Sequence, residues 1–375
     1  MYYKTCESVT EGHPDKICDQ ISDAILDAYI TGDPYTRAGI ECLIKDNKLV
    51  IGGEVTSKAD VDVIEIAKKV LKDVGYSDEL IATYEMVNWV GKQSPDISQG
   101  VDRDGAGDQG MMYGYACTET EEMIPLPLSL SHKICRKLAE ARRSDANSPL
   151  LSDGKAQVTV EYIDGQGPKI STVVVSSQHD AVVSQDDLYK YINEKVIQPV
   201  CAGYLREKQV INPHFLETAV EDDTTKIFIN PTGRFEVGGP FGDCGVTGRK
   251  IVVDTYGGIG RVGGGCFSGK DPSKVDRSAA YMARYLAKKL VKEGFGNEIE
   301  VRLAYSIGVS EPVDISVSIL TGDRSRETEA VEYIKKNFKL NPRNIIEFLD
   351  LRKPIYYKTA AYGHFGRPEF SWEKC

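Results

Sequence analysis

Gly39-Ile40-Glu41-Cys42-Leu43-Ile44-Lys45-Asp46-Asn47-Lys48-Leu49-Val50-Ile51-Gly52-Gly53-Glu54-Val55-Thr56 is the stretch from which the fold is read. Its apolar and β-branched runs, interrupted by the polar pair Asp46-Asn47, predict two strands, 39–45 and 48–56, joined by a turn. Beyond it, Val61, Ile64, Ala67, Val70 and Leu71 fall at helical spacing, and before it so do Ile17, Ile21, Ala24, Ile25 and Ala28. The result is a helix–strand–strand–helix block. The order recurs in the middle, where a helix over 132–143 precedes strands over 156–163 and 170–176. A further helix there carries Leu188, Tyr191, Ile192, Val196 and Ile197. It recurs again as a helix over 279–291, strands over 299–306 and 313–320, and a helix with Ala330, Val331, Ile334 and Phe338. A sheet built this way is apolar on one face and must cover it. Three such blocks predict an α+β fold of three similar α/β-sandwich-type domains related by pseudo-threefold repetition. Chance recurrence of a common motif is the alternative.

A chain of 375 residues is long enough for roughly two or three domains. The net charge of −10 argues against nucleic-acid binding as the main task. There is no run of about eighteen apolar residues to span a membrane, and the N-terminus Met1-Tyr2-Tyr3-Lys4-Thr5-Cys6-Glu7 lacks an apolar signal core. The nine cysteines are scattered, with no C-x-x-C pair, which argues against structural zinc and a disulfide framework. A reducing, cytoplasmic setting fits this usage.

Charge and glycine concentrate in one region. Between residues 234 and 277 the cations are Arg234, Arg249, Lys250, Arg261, Lys270, Lys274 and Arg277, in a stretch dense in glycine. Cations among bare backbone N–H groups make a polyanion site; a flexible, solvated loop is the plainer reading, and strand-like runs such as Lys250-Ile251-Val252-Val253-Asp254 weigh against it. Within the region, Gly264-Gly265-Cys266-Phe267-Ser268-Gly269-Lys270-Asp271 nearly spells a phosphate loop but places Asp271 where Ser or Thr should hold Mg²⁺. At the other end of the chain, Glu11-Gly12-His13-Pro14-Asp15-Lys16 puts His13, Asp15 and Lys16 at a helix N-terminus, with Thr10 and Pro14 as helix-start residues. Such a terminus attracts anions. There Asp15 would either bind Mg²⁺ or serve as a first-turn carboxylate, and His13 either meets phosphate or caps. The segments 91–100 and 105–110 are polar and glycine-punctuated, fitting an active-site lid or a linker. In the run 230–250, Phe235 would stack on a base and Asp243 accept from an amine, or they are a core phenylalanine and a turn aspartate.

Taken together, these blocks resemble the S-adenosylmethionine synthetase (methionine adenosyltransferase) family. The matching stretches are Glu11–Lys16, Gly105-Ala106-Gly107-Asp108-Gln109-Gly110, Asp254-Thr255-Tyr256-Gly257-Gly258, Gly264–Lys274 and Ala361-Tyr362-Gly363-His364-Phe365-Gly366, so the likeness runs from about Glu7 to Trp372. The resemblance implies three pseudo-threefold α+β domains, here expected at 1–97, 111–227 and 228–375 with a lid or linker over 98–110. It also implies a homodimer or homotetramer with active sites between subunits. The implied reaction is attack of the methionine sulfur on C5′ of ATP, release of triphosphate, and its cleavage to pyrophosphate and phosphate. A thioether carries no proton to remove, so the burden falls on charge developing at the leaving group rather than on a general base.

Carried over by position, the resemblance makes His13, Lys155, Asp108, Arg249 and Lys270 catalytic. His13, Asp153, Lys155, Arg234, Phe235, Asp243, Arg249, Lys250, Cys266 and Lys270 would line the ATP site. Glu54, Gln93, Asp243 and Lys274 would hold methionine. Asp15 and Asp276 would hold two Mg²⁺ ions, Glu41 a K⁺ ion, and residues 93–103 would form the lid. The chain departs from common bacterial members in a shorter stretch from Asp102 to Gly105 and in Cys266, which stands where alanine is usual. Beside cations an exposed thiol there would have a lowered pKa; a packed one would be inert. Two other functions compete. Asp271 and the lack of a strand before the loop argue against a P-loop kinase, and the intact set of charged residues argues against a non-catalytic nucleotide-binding regulator.

Overall fold

All three expected hairpins form, and what joins them is a cyclic exchange of strands. The computed structural model describes residues 1–92, 106–212 and 223–375. The first block runs β1 (Tyr2–Val9), α1 (Pro14–Gly32), β2 (Arg37–Lys45), β3 (Lys48–Thr56), α2 (Val63–Val74) and β4 (Glu85–Gly91). The second runs β5 (Gly110–Cys117), α3 (Leu126–Ser144), β6 (Leu150–Tyr162), β7 (Lys169–His179), α4 (Gln185–Ile192), β8 (Lys208–Ile211) and β9 (Thr224–Ile229). The third runs β10 (Gly245–Val246), α5 (Val275–Lys292), β11 (Glu298–Tyr305), β12 (Asp314–Thr321), α6 (Glu327–Asn337) and α7 (Pro342–Phe348).

In each block the strand ahead of the long helix leaves its own hairpin and pairs, antiparallel, with the first strand of the next block's hairpin. Thus β1 pairs with β6, β5 with β11 and β10 with β2. The sheets are ordered β1-β6-β7-β9-β8, β10-β2-β3-β4 and β12-β11-β5. This is an α+β fold with threefold internal repetition, as the three blocks imply. The exchange was not legible from periodicity, because it pairs strands more than a hundred residues apart.

The helices owe their boundaries to local chemistry. α1 begins at Pro14, whose missing N–H is no loss at that position, and its N-cap is His13 rather than Thr10. α2 starts on Asp62, whose side chain accepts from Ile64 and Glu65 N–H, and ends on Gly75 with φ 114°. The run Lys250–Asp254 is not a strand: Ile251–Asp254 closes a single helical turn. Three successive apolar residues are ambiguous between the two states, and the turn places Asp254 against buried Lys16.

One apolar core joins the first and third blocks and takes in β5 of the second, while the rest of the second block packs around a core of its own. The seam between α1 and the third block is charged. Lys16, Asp19 and Asp23 lie at helical spacing on α1 and are all 0% exposed. Asp23 holds Arg277 of α5 through a two-pronged ion pair of 2.6 and 2.8 Å. The C-terminal segment closes this seam: Trp372 stacks on Tyr281 at 3.8 Å, and Glu373 pairs with Arg284 and Lys288. All nine cysteines are free. Among the described residues no helix is long and apolar enough to cross a membrane.

Candidate functional site

The site residues gather at the N-termini of two long helices. The first cluster surrounds the start of α1. Strand β1 ends at Val9, opposite Lys155 of β6, and the chain turns directly into α1. His13 caps that helix, its Nδ1 accepting the Asp15 N–H at 3.2 Å. In the neutral ring the proton therefore sits on Nε2, which makes that nitrogen a donor. Burial, with the nearby Lys250 ammonium, holds the imidazole well below its ordinary pKa, so the neutral form prevails at pH 7.

Asp15 is the centre of this cluster. Its Oδ1 accepts the Val246 N–H at 3.0 Å and lies 3.7 Å from Arg249 Nε. Its Oδ2 is hydrogen-bonded by Lys250 Nζ. Burial alone would raise its pKa, but the Lys250 and Val246 bonds outweigh it and keep the carboxyl below its usual range. Asp153 stands behind, its Oδ2 taking the Gly239 N–H at 2.8 Å, and burial pushes its pKa up to about 6. Lys155 is exposed, 3.7 Å from Glu7. Phe235 is tied down by its N–H to His179 Nε2 at 3.0 Å, while Arg234 and Asp243 are exposed.

The second cluster surrounds the start of α5. Lys270 Nζ and Asp276 Oδ2 are 2.5 Å apart. Burial opposes the charge on Lys270, but the Asp276 bond, helped by Cys266, Asp276 and Asp108 nearby, leaves its pKa raised. Asp271, the residue that breaks the phosphate-loop pattern, is a buried strut. Its Oδ2 accepts the Ala38 N–H at 2.8 Å and Lys274 Nζ at 2.7 Å, and its Oδ1 accepts the Ser273 N–H at 2.8 Å. Gly269, at φ 81°, can carry no side chain because a Cβ would lie 1.9 Å from the Ile40 carbonyl oxygen. The loop is thereby pressed onto β2, with Lys270 bridging to Gly39. Glu54 is opposite Gly39 on β3, and Glu41 lies on the same outer face of the sheet.

The two clusters are anchored at different places on β2. Val246, which binds Asp15, pairs with Leu43, whereas Lys270 bridges to Gly39. Four strand residues separate these anchors by about 13 Å. Cys266 lies between: a Cβ on Gly248 would fall 2.5 Å from that of Cys266. Burial raises the Cys266 thiol pKa despite the opposing Lys270 charge, which favours the packed reading of this half-buried cysteine over the activated one. Gln93 and the expected lid, residues 93–103, lie outside the described residues, as does most of the lid or linker expected over 98–110.

The donor chemistry suits a metal brought in with a polyphosphate. Among the described residues no group of three or more acidic, histidine or cysteine side chains converges into a cage. Mg²⁺ is commonly held by one or two carboxylates together with substrate phosphates, and Asp15 and Asp276 offer one carboxylate each. Gly265 lets the loop lie directly against the Asp276 carboxylate, since a Cβ there would lie 2.0 Å from Asp276 Cγ. The residues that sequence reasoning missed are the second row: Asp19, Gly248 and Asp254. The signal available was an aspartate one helical turn after Asp15.

Family models described as S-adenosylmethionine synthetase N-terminal, central and C-terminal domains match residues 1–95, 103–235 and 237–374. The chain is 49% identical over 384 residues to an S-adenosylmethionine synthase of Sorangium cellulosum, covering 100% of this chain and 87% of that one. It is 50% identical over 383 residues to one of a Sulfurovum species, covering 100% and 96%. To one of Desulfosudis oleivorans it is 49% identical over 382 residues, covering 98% and 95%.

Proposed function

The chain belongs to the S-adenosylmethionine synthetase family, and on that premise we propose that it forms S-adenosylmethionine from ATP and L-methionine. The methionine sulfur donates its lone pair to C5′ of ATP, the C5′–O bond breaks, and its electron pair leaves with the triphosphate. Water then splits the triphosphate to pyrophosphate and phosphate. The observation that carries this reading is the pair of aspartate–lysine units at two helix N-termini, Asp15 with Lys250 and Asp276 with Lys270. They concentrate cations and N–H donors where a leaving polyphosphate needs them, and include no activated nucleophile or general base.

The roles are those the family resemblance implies, and the chemistry of each group suits them. Neutral His13 offers its Nε2–H to the oxygen departing from C5′. Lys155, Arg249, Lys250 and Lys270 meet the phosphates, with Arg234 and the backbone at Cys266 at the edge. Phe235 and Asp153 serve the nucleoside. Glu54, Gln93, Asp243 and Lys274 take methionine, whose ammonium and carboxylate need opposite charges, and Asp108 orients groups near the sulfur. Asp15 and Asp276 would hold two Mg²⁺ ions and Glu41 a K⁺ ion; bound with the triphosphate, Mg²⁺ supplies charge neutralisation as the C5′–O bond opens.

We assign the complete site to a homodimer or homotetramer. Each chain carries two half-sites at separate anchors on β2, and the outer face of that sheet exposes Leu43 (45%), Val87 (38%) and Trp89 (70%) beside Glu41 and Glu54. An apolar face bordered by incomplete sites suits an isologous contact in which each copy completes the other. The test is incubation with ATP, methionine, Mg²⁺ and K⁺. A sulfonium product with equal pyrophosphate and phosphate is expected; ADP, or no product, would overturn the assignment.

A further inference from the structure

Lys16 belongs to the same short motif as His13 and Asp15 but takes no part in the site just described. It follows Asp15 on α1, and because successive helical residues diverge by about 100° it points elsewhere. The side chain is fully buried, its Nζ 2.5 Å from Asp254 Oδ1 and 2.9 Å from Asp19 Oδ2. The Asp19 contact is an ion pair alone, that oxygen receiving no well-aligned hydrogen bond among the described residues. A buried lysine between two buried aspartates is a poor device for stability, since apolar groups of the same volume do as well. Its geometry points to another use.

Asp19 Oδ1 accepts the Gly248 N–H at 2.8 Å. Asp254 ends the helical turn that follows Lys250, its own N–H bonded to the Lys250 carbonyl at 2.9 Å. One ammonium therefore pins both ends of the segment from Gly248 to Asp254. Inside that segment are Arg249 and Lys250, the two cations that reach Asp15. Gly248 sits at φ 81° with no space for a Cβ, so the turn has one conformation to hold. Thr247 adds a tie, its hydroxyl 2.8 Å from Ser22 of α1.

We propose that Lys16 is a positioning residue: through Asp19 and Asp254 it fixes the turn that delivers Arg249 and Lys250 to Asp15, and so preorganises the polyphosphate half-site on α1. This rests on the polyphosphate reading of that half-site. The advantage is that cations on a glycine-rich loop meet the ligand without first losing loop entropy.

A double-mutant cycle tests it on the full chain, with Lys16→Met, Lys250→Met and the pair. Calorimetric binding of tripolyphosphate and steady-state turnover are the readouts, and thermal unfolding shows that each variant is folded. Lys16→Met should weaken tripolyphosphate binding about tenfold or more and leave the KM for methionine within about twofold. In the Lys250→Met background the same substitution should cost clearly less than in wild type, because one of the two cations it positions is gone. Losses that multiply in the double variant, or a folded Lys16→Met with undiminished binding, would overturn the proposal. Should Lys16→Met fail to fold, Asp254→Asn cuts one anchor while keeping Lys16 paired with Asp19, and the same cycle is read. Wild-type protein that binds tripolyphosphate but forms no sulfonium refutes the proposed reaction while leaving the cycle readable; wild-type protein that does not bind it overturns both.

Discussion

The starts of α1 and α5 occupy equivalent places in the first and third blocks, and they are built differently. Each carries an aspartate at its second residue, paired with a lysine from a loop. The Asp15 side chain is 2% exposed and takes a backbone N–H as well as Lys250; the Asp276 side chain is 13% exposed and faces a glycine. The third equivalent position, on α3, is Pro127, and the first N–H of that helix is taken by Glu119 at 3.0 Å. Of three equivalent helix ends, two thus carry an aspartate within the helix itself, and the third takes its carboxylate from the preceding loop, where Glu119 also pairs with Lys4. The α1 end is enclosed and held by second-row contacts, and the α5 end is the more open of the two. Every helix N-terminus favours anions, so the difference lies in what the loops bring to it.

The largest expected effect comes from removing either lysine. Lys270→Ala or Asp276→Asn at the open end should lower turnover by at least about two orders of magnitude with the fold intact, as should Lys250→Ala at the enclosed end; loss of one preorganised charge stabiliser typically costs about 10²–10³ in rate. Near-normal turnover at saturating Mg²⁺ would remove these residues from the mechanism. The comparison sharpens when the two defects are mixed. If each site joins the enclosed end of one copy to the open end of another, unfolding and refolding Lys250→Ala together with Lys270→Ala should restore about a quarter of wild-type activity, because mixed dimers contain one undamaged site. No recovery, with mixed dimers demonstrated, would mean that both ends of one chain serve one site.

Much of this was legible in the sequence and some was not, for reasons that particular residues show. The hairpin of strands 39–45 and 48–56 announced itself because alternation and a polar turn are local signals. The motifs at Glu11–Lys16 and Gly264–Lys270 were legible because their chemistry is dense. The strand exchange of β1, β5 and β10 was not, since pairing across a hundred residues leaves no local trace. Nor was the charged seam. Lys16, Asp19 and Asp23 form the stripe that on an amphipathic helix would be its solvated face, yet they are buried because Asp254 and Arg277 compensate them from the far end of the chain. Asp271 read only as the residue that breaks the phosphate-loop pattern, and the contact with Ala38 N–H reveals it as a strut.

Enclosure at the α1 end should cost stability, which is the next effect in size. Burial raises the Asp153 pKa to about 6, with the Gly239 N–H opposing only in part. An unfolded aspartate titrates near pH 3.9. The native state therefore binds more protons than the unfolded state between about pH 4 and 6, and stability falls as pH rises through that window. Asp153→Asn cannot ionise and can still accept from Gly239. It should melt higher than wild type above pH 6, by an amount on the order of 2 kcal/mol, and match it below about pH 4. A difference that does not change with pH would show that ionisation of Asp153 is not its source.

The smallest effect is expected at Cys266, where the two ends meet. Its thiol is pushed up in pKa by burial more than Lys270 lowers it, so little thiolate exists near neutral pH and the side chain acts as a spacer. Cys266→Ala keeps the Cβ that packs beside Gly248 and removes one sulfur; turnover should stay within about twofold, and iodoacetamide should label wild-type protein slowly at pH 8. Gly248→Ala is the counterpart across the same contact. A Cβ there would meet the Cys266 Sγ at 2.8 Å from a residue already at φ 81°, so it should disturb the Arg249–Lys250 turn even though only one methyl is added. Fast labelling of Cys266, or a large loss from Cys266→Ala, would make the thiol a participant and would erase the distinction between an enclosed end and an open one.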